Sequence, residues 1–83
     1  MNALTLKARY RNAKALRVPF HRMSPALRCM ALLNEYRDLR DVARESDDDR
    51  AVSMAESSMA YVKAEFNAAR EEMRASFSQR RAA

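Results

Sequence analysis

The side chains that could do chemistry in this sequence are few, and they do not form a reactive group. His21 is the only histidine and Cys29 is the only cysteine. A nucleophilic cysteine needs an activating base, and no histidine stands at helical spacing from Cys29. We therefore interpret Cys29 as a small residue of the helix seam and His21 as part of a connector. No catalytic residue is predicted.

Carboxylates cluster most densely at residues 47–49, which are three aspartates in a row. Such a cluster is one way to bind Ca²⁺ or Mg²⁺, but the chain has no glycine for the sharp turn of a calcium loop. The alternative is a helix start, where the helix dipole favours negative charge. Without glycine a phosphate-binding loop is also excluded. We predict no metal, no cofactor of its own and no enzymatic activity.

The net charge of +5 is concentrated at one end of the chain. Residues 1–33 contain seven basic and no acidic residues, whereas residues 34–83 contain nine basic and eleven acidic ones. An arm of this kind suits nucleic acid, an anionic lipid surface, an acidic protein or a mitochondrial import receptor. A basic helix that only packs on a larger assembly is a further interpretation. The candidate arm residues are Lys7, Arg9, Arg11, Lys14 and Arg17.

Helix-forming residues dominate the composition, so the predicted fold class is all-α. A first helix is expected over residues 3–17, because a residue before Pro19 disfavours helical geometry. Ser24 and Pro25 predict the start of a second helix that ends at about Glu45. Ser46 and the aspartates predict a third helix from about residue 47 to 79.

Apolar and small residues recur at three-four spacing in the last two helices, which predicts an antiparallel helical hairpin over residues 24–83 behind a basic arm of residues 1–23. The end of the third helix, residues 69–77, extends past the second and needs a partner, either the first helix or another protein. The third-helix seam comprises Val52, Ala55, Met59, Val62, Phe66, Ala69, Met73 and Ser76. The second-helix seam comprises Cys29, Leu32, Tyr36, Leu39 and Ala43.

Three arginines of the second helix, Arg37, Arg40 and Arg44, stand three and four residues apart and form one basic stripe. A solvated charged face is one interpretation. The other is a docking strip at which the arginines orient an acidic partner. An acidic stripe runs parallel to it and comprises Asp38, Asp41 and Glu45.

Two segments of the hairpin resemble the LYR-motif family of mitochondrial proteins. Residues 32–40, LLNEYRDLR, resemble the leucine-tyrosine-arginine pattern of that family's opening helix. Residues 61–67, YVKAEFN, resemble its second-helix pattern, which contains a phenylalanine. Glu35 stands where the motif has its leucine, and Asn67 stands where it usually has an arginine. The resemblance covers about residues 28–75.

The resemblance implies a non-catalytic accessory subunit or assembly factor of a mitochondrial, respiratory-type complex. Members of the family bind an acyl carrier protein, whose pantetheine-linked acyl chain lies between their helices. Tyr36 and Arg37 would match the motif's tyrosine and arginine, and Phe66 would match its phenylalanine. With Arg40 and Arg44, these are the candidate partner-binding residues. The implied location is the mitochondrial matrix or the matrix side of the inner membrane.

Two other functions remain open from the sequence. One is a small basic helical nucleic-acid-binding regulator, of phage or bacterial type, that dimerises through its third helix. The cytoplasm is the alternative location. The other is a self-associating coiled-coil module. Since no apolar run approaches the roughly 20 residues that a membrane-spanning helix needs, we expect no transmembrane segment. No secretory signal is expected either.

Overall fold

Three α-helices form the protein in a computed structural model that describes the backbone of residues 3–82 and the side chains of residues 6–79. They are α1 (Ala3–Ala15), α2 (Pro25–Glu45) and α3 (Asp49–Ala82), with a short 3₁₀ helix, η1 (Phe20–Arg22), before α2. No strand occurs in this part of the chain. The predicted all-α class is confirmed.

Helices α2 and α3 pack side by side as the antiparallel hairpin that the seams predict. Arg28 near the start of α2 contacts Glu72 in the last third of α3, which fixes the direction of the pairing. At 1.5 Å per residue, the 34 residues of α3 span about 51 Å, close to the longest dimension of 52 Å. The long helix therefore sets the length of the molecule.

The start of α2 has the predicted cap. Ser24 lies in extended conformation before the helix, and its hydroxyl accepts a hydrogen bond from the backbone N–H of Leu27 at 3.3 Å. Pro25 occupies the first helical position, where no N–H is needed. The cap satisfies one of the free N–H groups of the first turn.

The start of α3 lies two residues later than predicted, because Asp48 rather than Ser46 caps it. The Asp48 carboxylate accepts from the N–H of Arg50 at 3.0 Å, and its carbonyl accepts from Val52 at 3.0 Å. Ser46 ends α2, and its hydroxyl accepts from the N–H of Asp48 at 3.2 Å. The chain needs residues 46–48 to reverse direction, so only Asp49 lies in the first turn of α3.

Helix α1 ends at Ala15 instead of residue 17, in a two-bond cap. The Val18 N–H donates to the Ala13 carbonyl at 2.9 Å, and the Arg17 N–H donates to the Lys14 carbonyl at 3.0 Å. These are the two hydrogen bonds of a Schellman motif, in which the residue that donates the shorter-range bond adopts the left-handed conformation. Arg17 occupies that position with a φ of 54°, in a chain that has no glycine to offer.

The predicted seams form the interior of the hairpin. Every one of their residues is buried or half-buried. The centre is a cluster of Leu32, Val62 and Ala69, against which four half-buried side chains pack: Cys29, Tyr36, Leu39 and Phe66. The three-four spacing of the sequence thus identified the buried face of both helices.

The far end of α3 is covered further than expected. Ala69 was predicted to need a partner outside α2, yet it is only 4% exposed within the hairpin core. The Arg28–Glu72 contact shows that α2 reaches this level, and Phe77 beyond it is exposed. Helix α1 packs against α2 and, within the described residues, not against α3. The described helices include none with the length and hydropathy of a membrane span.

Candidate functional site

A groove runs along one side of the hairpin between α2 and α3. Its first cavity, of about 180 Å³, is lined by Leu32, Leu33, Tyr36, Val62, Lys63 and Phe66. Its second cavity, of about 230 Å³, is lined by Tyr36, Glu56, Met59, Ala60 and Lys63. Because the two cavities share Tyr36 and Lys63, they adjoin along the helix pair. We call them together the hairpin groove.

The floor and the rim of the hairpin groove come from neighbouring positions on each helix. Leu32 and Val62 are 5% and 4% exposed and form the floor. Leu33 and Lys63 follow them directly in sequence, and one residue turns about 100° around a helix. They therefore stand at the edge of the packed seam and form the rim.

The lining of the groove is apolar except at its rim. Tyr36 and Phe66 contribute aromatic rings, and the stem of Lys63 is aliphatic up to its ammonium group. A lysine of this kind can cover an apolar ligand while its charge stays in water. The groove is therefore suited to an alkyl chain whose polar end remains at the surface.

The basic stripe of α2 lies on the same side of the helix as the groove. Arg37 follows the rim residue Leu33 by four positions, and Arg40 follows Arg37 by three. Leu33, Arg37 and Arg40 therefore share one face of α2. Arg37 and Arg44 are exposed, whereas the side chain of Arg40 is 41% exposed. The nearest carboxylate to Arg40 belongs to Asp41, at 3.8 Å, which is a loose contact.

Helix α3 adds positive charge to this side. Arg70 lies seven residues after Lys63, two turns along the same face, and its charge acts on the Cys29 thiol of α2. Arg74 follows four residues later and contacts Glu71 at 3.2 Å. Glu56 is the one acidic residue among those that line the groove. The hairpin groove therefore has an apolar lining and a predominantly cationic border.

The thiol of Cys29 is not activated. Burial raises the pKa of the Cys29 thiol, and the nearby charges of Arg28 and Arg70 only partly oppose this effect. Cys29 packs against the core cluster, as its place on the seam predicts. The thiol is therefore protonated at neutral pH, when it is a weak nucleophile.

The other candidate chemical groups lie apart from the groove. His21 is exposed in η1, and Asp47–Asp49 are exposed at the turn between α2 and α3. In the described part of the chain, no three His, Cys, Asp or Glu side chains are grouped so that they could bind a metal ion. All five candidate residues of the basic arm are exposed, and the Lys14 ammonium lies 5.7 Å from the centre of the Tyr10 ring.

The structure brings together two of the five predicted partner-binding residues. Tyr36 and Phe66 line one cavity from opposite helices, although they are 30 residues apart in sequence. Arg37, Arg40 and Arg44 lie outside the cavity lining. Leu33 and Lys63 were not predicted as groove residues from the sequence. Their signal was their position next to a seam residue, which places a side chain at the edge of a helix pair.

Comparisons of the chain with family models, curated proteins and solved structures find no match. The functional interpretation therefore depends on the groove, on its charges and on the resemblance of residues 32–40 and 61–67 described above.

Proposed function

We propose that the protein is a non-catalytic accessory subunit or assembly factor of a mitochondrial complex, which docks an acidic acyl carrier protein on its helical hairpin. The observation that supports this proposal is the hairpin groove, with Tyr36 and Phe66 on its opposite walls. These are the two aromatic residues that the resemblance to the LYR-motif family assigns to the motif.

The groove would receive the acyl chain of the carrier. Its lining along Leu32, Val62 and Phe66 is apolar, and each methylene that becomes fully buried there would contribute about 0.8 kcal/mol. Two adjoining cavities of about 180 and 230 Å³ provide a path along the helix pair rather than a single closed site. This shape favours an extended chain over a compact ligand.

The arginine stripe would hold the carrier itself. Arg37 and Arg44 are exposed on the groove side, where carboxylates of an acidic protein could reach them. Guanidinium groups bind carboxylates with two parallel hydrogen bonds, and such pairs fix orientation more than they add affinity. The arginine stripe and the hairpin groove together would then select a partner that is both acidic and acylated.

Native mass spectrometry with an acyl carrier protein tests this proposal. The protein is mixed with the carrier in its acylated form and in the form with free pantetheine. A one-to-one complex that requires the acyl chain is expected. The charge reversal Arg37→Glu with Arg40→Glu should abolish the complex, because it reverses the sign of the stripe beside the groove.

A matched control separates the stripe from general charge effects. Lys7→Glu with Arg11→Glu changes the net charge by the same amount on the exposed arm, and it should leave the complex intact. If neither form of the carrier binds and the protein forms homodimers instead, the proposal is wrong and self-association is favoured.

A further inference from the structure

An apolar corner lies between α1 and η1 and projects into solvent. Leu16 is 77% exposed, the highest value among the large apolar side chains of the described residues, and Phe20 is 41% exposed. Pro19 between them is also exposed. Single exposed apolar residues are ordinary on protein surfaces, but here residues 16–20 place several of them in one short turn. We call residues 16–20 the apolar corner.

Several backbone groups of the apolar corner form hydrogen bonds within the chain. The N–H groups of Leu16, Arg17 and Val18 donate to carbonyls of α1 at 2.9–3.0 Å, and the Pro19 carbonyl accepts from Arg22 at 3.0 Å. Backbone groups that lack partners are costly to move out of water. These backbone groups therefore keep their hydrogen bonds within the chain when the corner enters a less polar environment.

Basic side chains surround the apolar corner. Lys14 before the corner, Arg17 within it and Arg22 after it are all exposed. No acidic residue occurs in residues 1–33, so no negative charge nearby in sequence offsets them. Apolar side chains at the tip of a turn, framed by cations, have the arrangement of a peripheral site for an anionic lipid surface.

We propose that the apolar corner and its flanking cations bind the surface of an anionic membrane. Leu16 and Phe20 would enter the boundary between headgroups and acyl chains, while Lys14, Arg17 and Arg22 would contact lipid phosphates. Each basic residue near such a surface adds about 1 kcal/mol, which corresponds to about a fivefold increase in partitioning. The site is independent of the hairpin groove and needs no partner protein.

The corner favours lipid over RNA as the ligand of the arm. Proteins that bind single-stranded RNA stack bases on exposed aromatic rings and grip phosphates with cations. The most exposed large apolar residue here is the aliphatic Leu16, which cannot stack with a base but is stabilised in hydrocarbon. Tyr10, the aromatic residue of α1, is half-buried, which leaves Phe20 and His21 as the exposed rings beside Leu16.

Sedimentation with lipid vesicles tests the proposal on the full chain. We expect binding to vesicles of phosphatidylcholine with about a third phosphatidylserine, and little binding to phosphatidylcholine alone. Leu16→Ser with Phe20→Ser should reduce the partition coefficient about tenfold or more. Lys14→Gln with Arg17→Gln and Arg22→Gln should reduce it about a hundredfold at low salt.

Two exposed residues of α3 supply the control. Met54 and Tyr61 are 64% and 69% exposed, so Met54→Ser with Tyr61→Ser removes comparable apolar surface away from the corner. This variant should bind vesicles like the unaltered protein. Circular dichroism should show the same helix content in all variants, since every substituted side chain is exposed.

Either of two results would overturn the proposal. One is vesicle binding that is unchanged in the Leu16→Ser, Phe20→Ser variant. The other has two parts: single-stranded polyuridine RNA displaces the unaltered protein from vesicles, and the unaltered protein and this variant bind that RNA with equal affinity. The second result would assign the arm to nucleic acid.

Discussion

Arg28 Nη2 lies 2.7 Å from Glu72 Oε2 and connects the first turn of α2 to the last third of α3. The two residues are 44 positions apart in sequence. Since the apolar seams repeat every three or four residues, they permit several registers of the hairpin that differ by one or two helical turns. The Arg28–Glu72 pair is compatible with one of them, the register in which Ala69 enters the core.

The Arg28–Glu72 pair should contribute modestly to stability. The two side chains are 21% and 56% exposed, so solvent weakens the attraction. A double-mutant cycle with Arg28→Gln and Glu72→Gln, followed by urea denaturation, should give a coupling of about 0.5–1 kcal/mol at low salt. The control pair, Arg74 with Glu71 on a single helix turn, should give a smaller value. A coupling of zero for Arg28 and Glu72 would contradict the importance of this contact for the register.

Phe66 should be a main contributor to the free energy of unfolding. It packs against the core cluster and also lines the groove, so Phe66→Ala removes contacts from both. We expect a loss of about 3 kcal/mol, at the lower end for a phenylalanine because one side of the ring faces the groove. Urea denaturation measures the loss. Tyr61→Ala, at a side chain that is 69% exposed, should change stability by less than about 0.5 kcal/mol.

Arg17 occupies a position for which glycine is better suited. Its φ of 54° brings the Cβ close to the backbone, a cost of roughly 1 kcal/mol for a residue other than glycine. Arg17→Gly should therefore raise the free energy of unfolding by up to about 1 kcal/mol. Thermal unfolding followed by circular dichroism measures the change. Arg11→Gly, in the interior of α1, should lower stability by about 1 kcal/mol, and a loss in both variants would contradict this explanation of the cap.

The Cys29 thiol should lose its proton at a higher pH in the folded protein than in the unfolded chain, because burial raises its pKa. The folded state then retains the thiol proton at pH values at which the unfolded state has lost it. The free energy of unfolding should fall as pH rises above the pKa of the unfolded thiol and should be unaffected below it. Cys29→Ala should remove this component of the pH dependence. The rate of disulfide exchange with an aromatic disulfide, measured against pH in buffer and in urea, reports the two titrations directly.

The hairpin groove should bind anionic apolar probes in the absence of a partner protein. We expect anilinonaphthalene sulfonate to bind there, with its rings in the cavity and its sulfonate near Lys63. Leu33→Trp should fill the rim and reduce the fluorescence enhancement at least severalfold. Val42→Trp is the matched control, because Val42 lies nine residues further along α2, on the opposite side, and is 48% exposed. Equal enhancement in both variants would place the probe outside the groove.

Much of the fold could be predicted because it depends on local signals. The Ser24 cap begins α2, as its backbone chemistry requires. The end of α1 was predicted two residues too late, because the cap at Arg17 stops the helix before Pro19 can. The three-four spacing identified the buried face of α2 and α3, since a helix exposes one face per turn to its neighbour. The start of α3 was missed by two residues because Ser46, Asp47 and Asp48 are all competent caps, and only the reversal of the chain selects among them.

The sequence by itself determined the helices, their buried faces and the polarity of the charge along the chain. The tertiary structure decided the register of α2 on α3, the packing of α1 on α2 rather than on the far end of α3, and the groove beside Tyr36 and Phe66. Each of these depends on contacts between residues far apart in sequence. A periodic seam specifies which side of a helix is buried, but the space left between two helices depends on which side chains meet there.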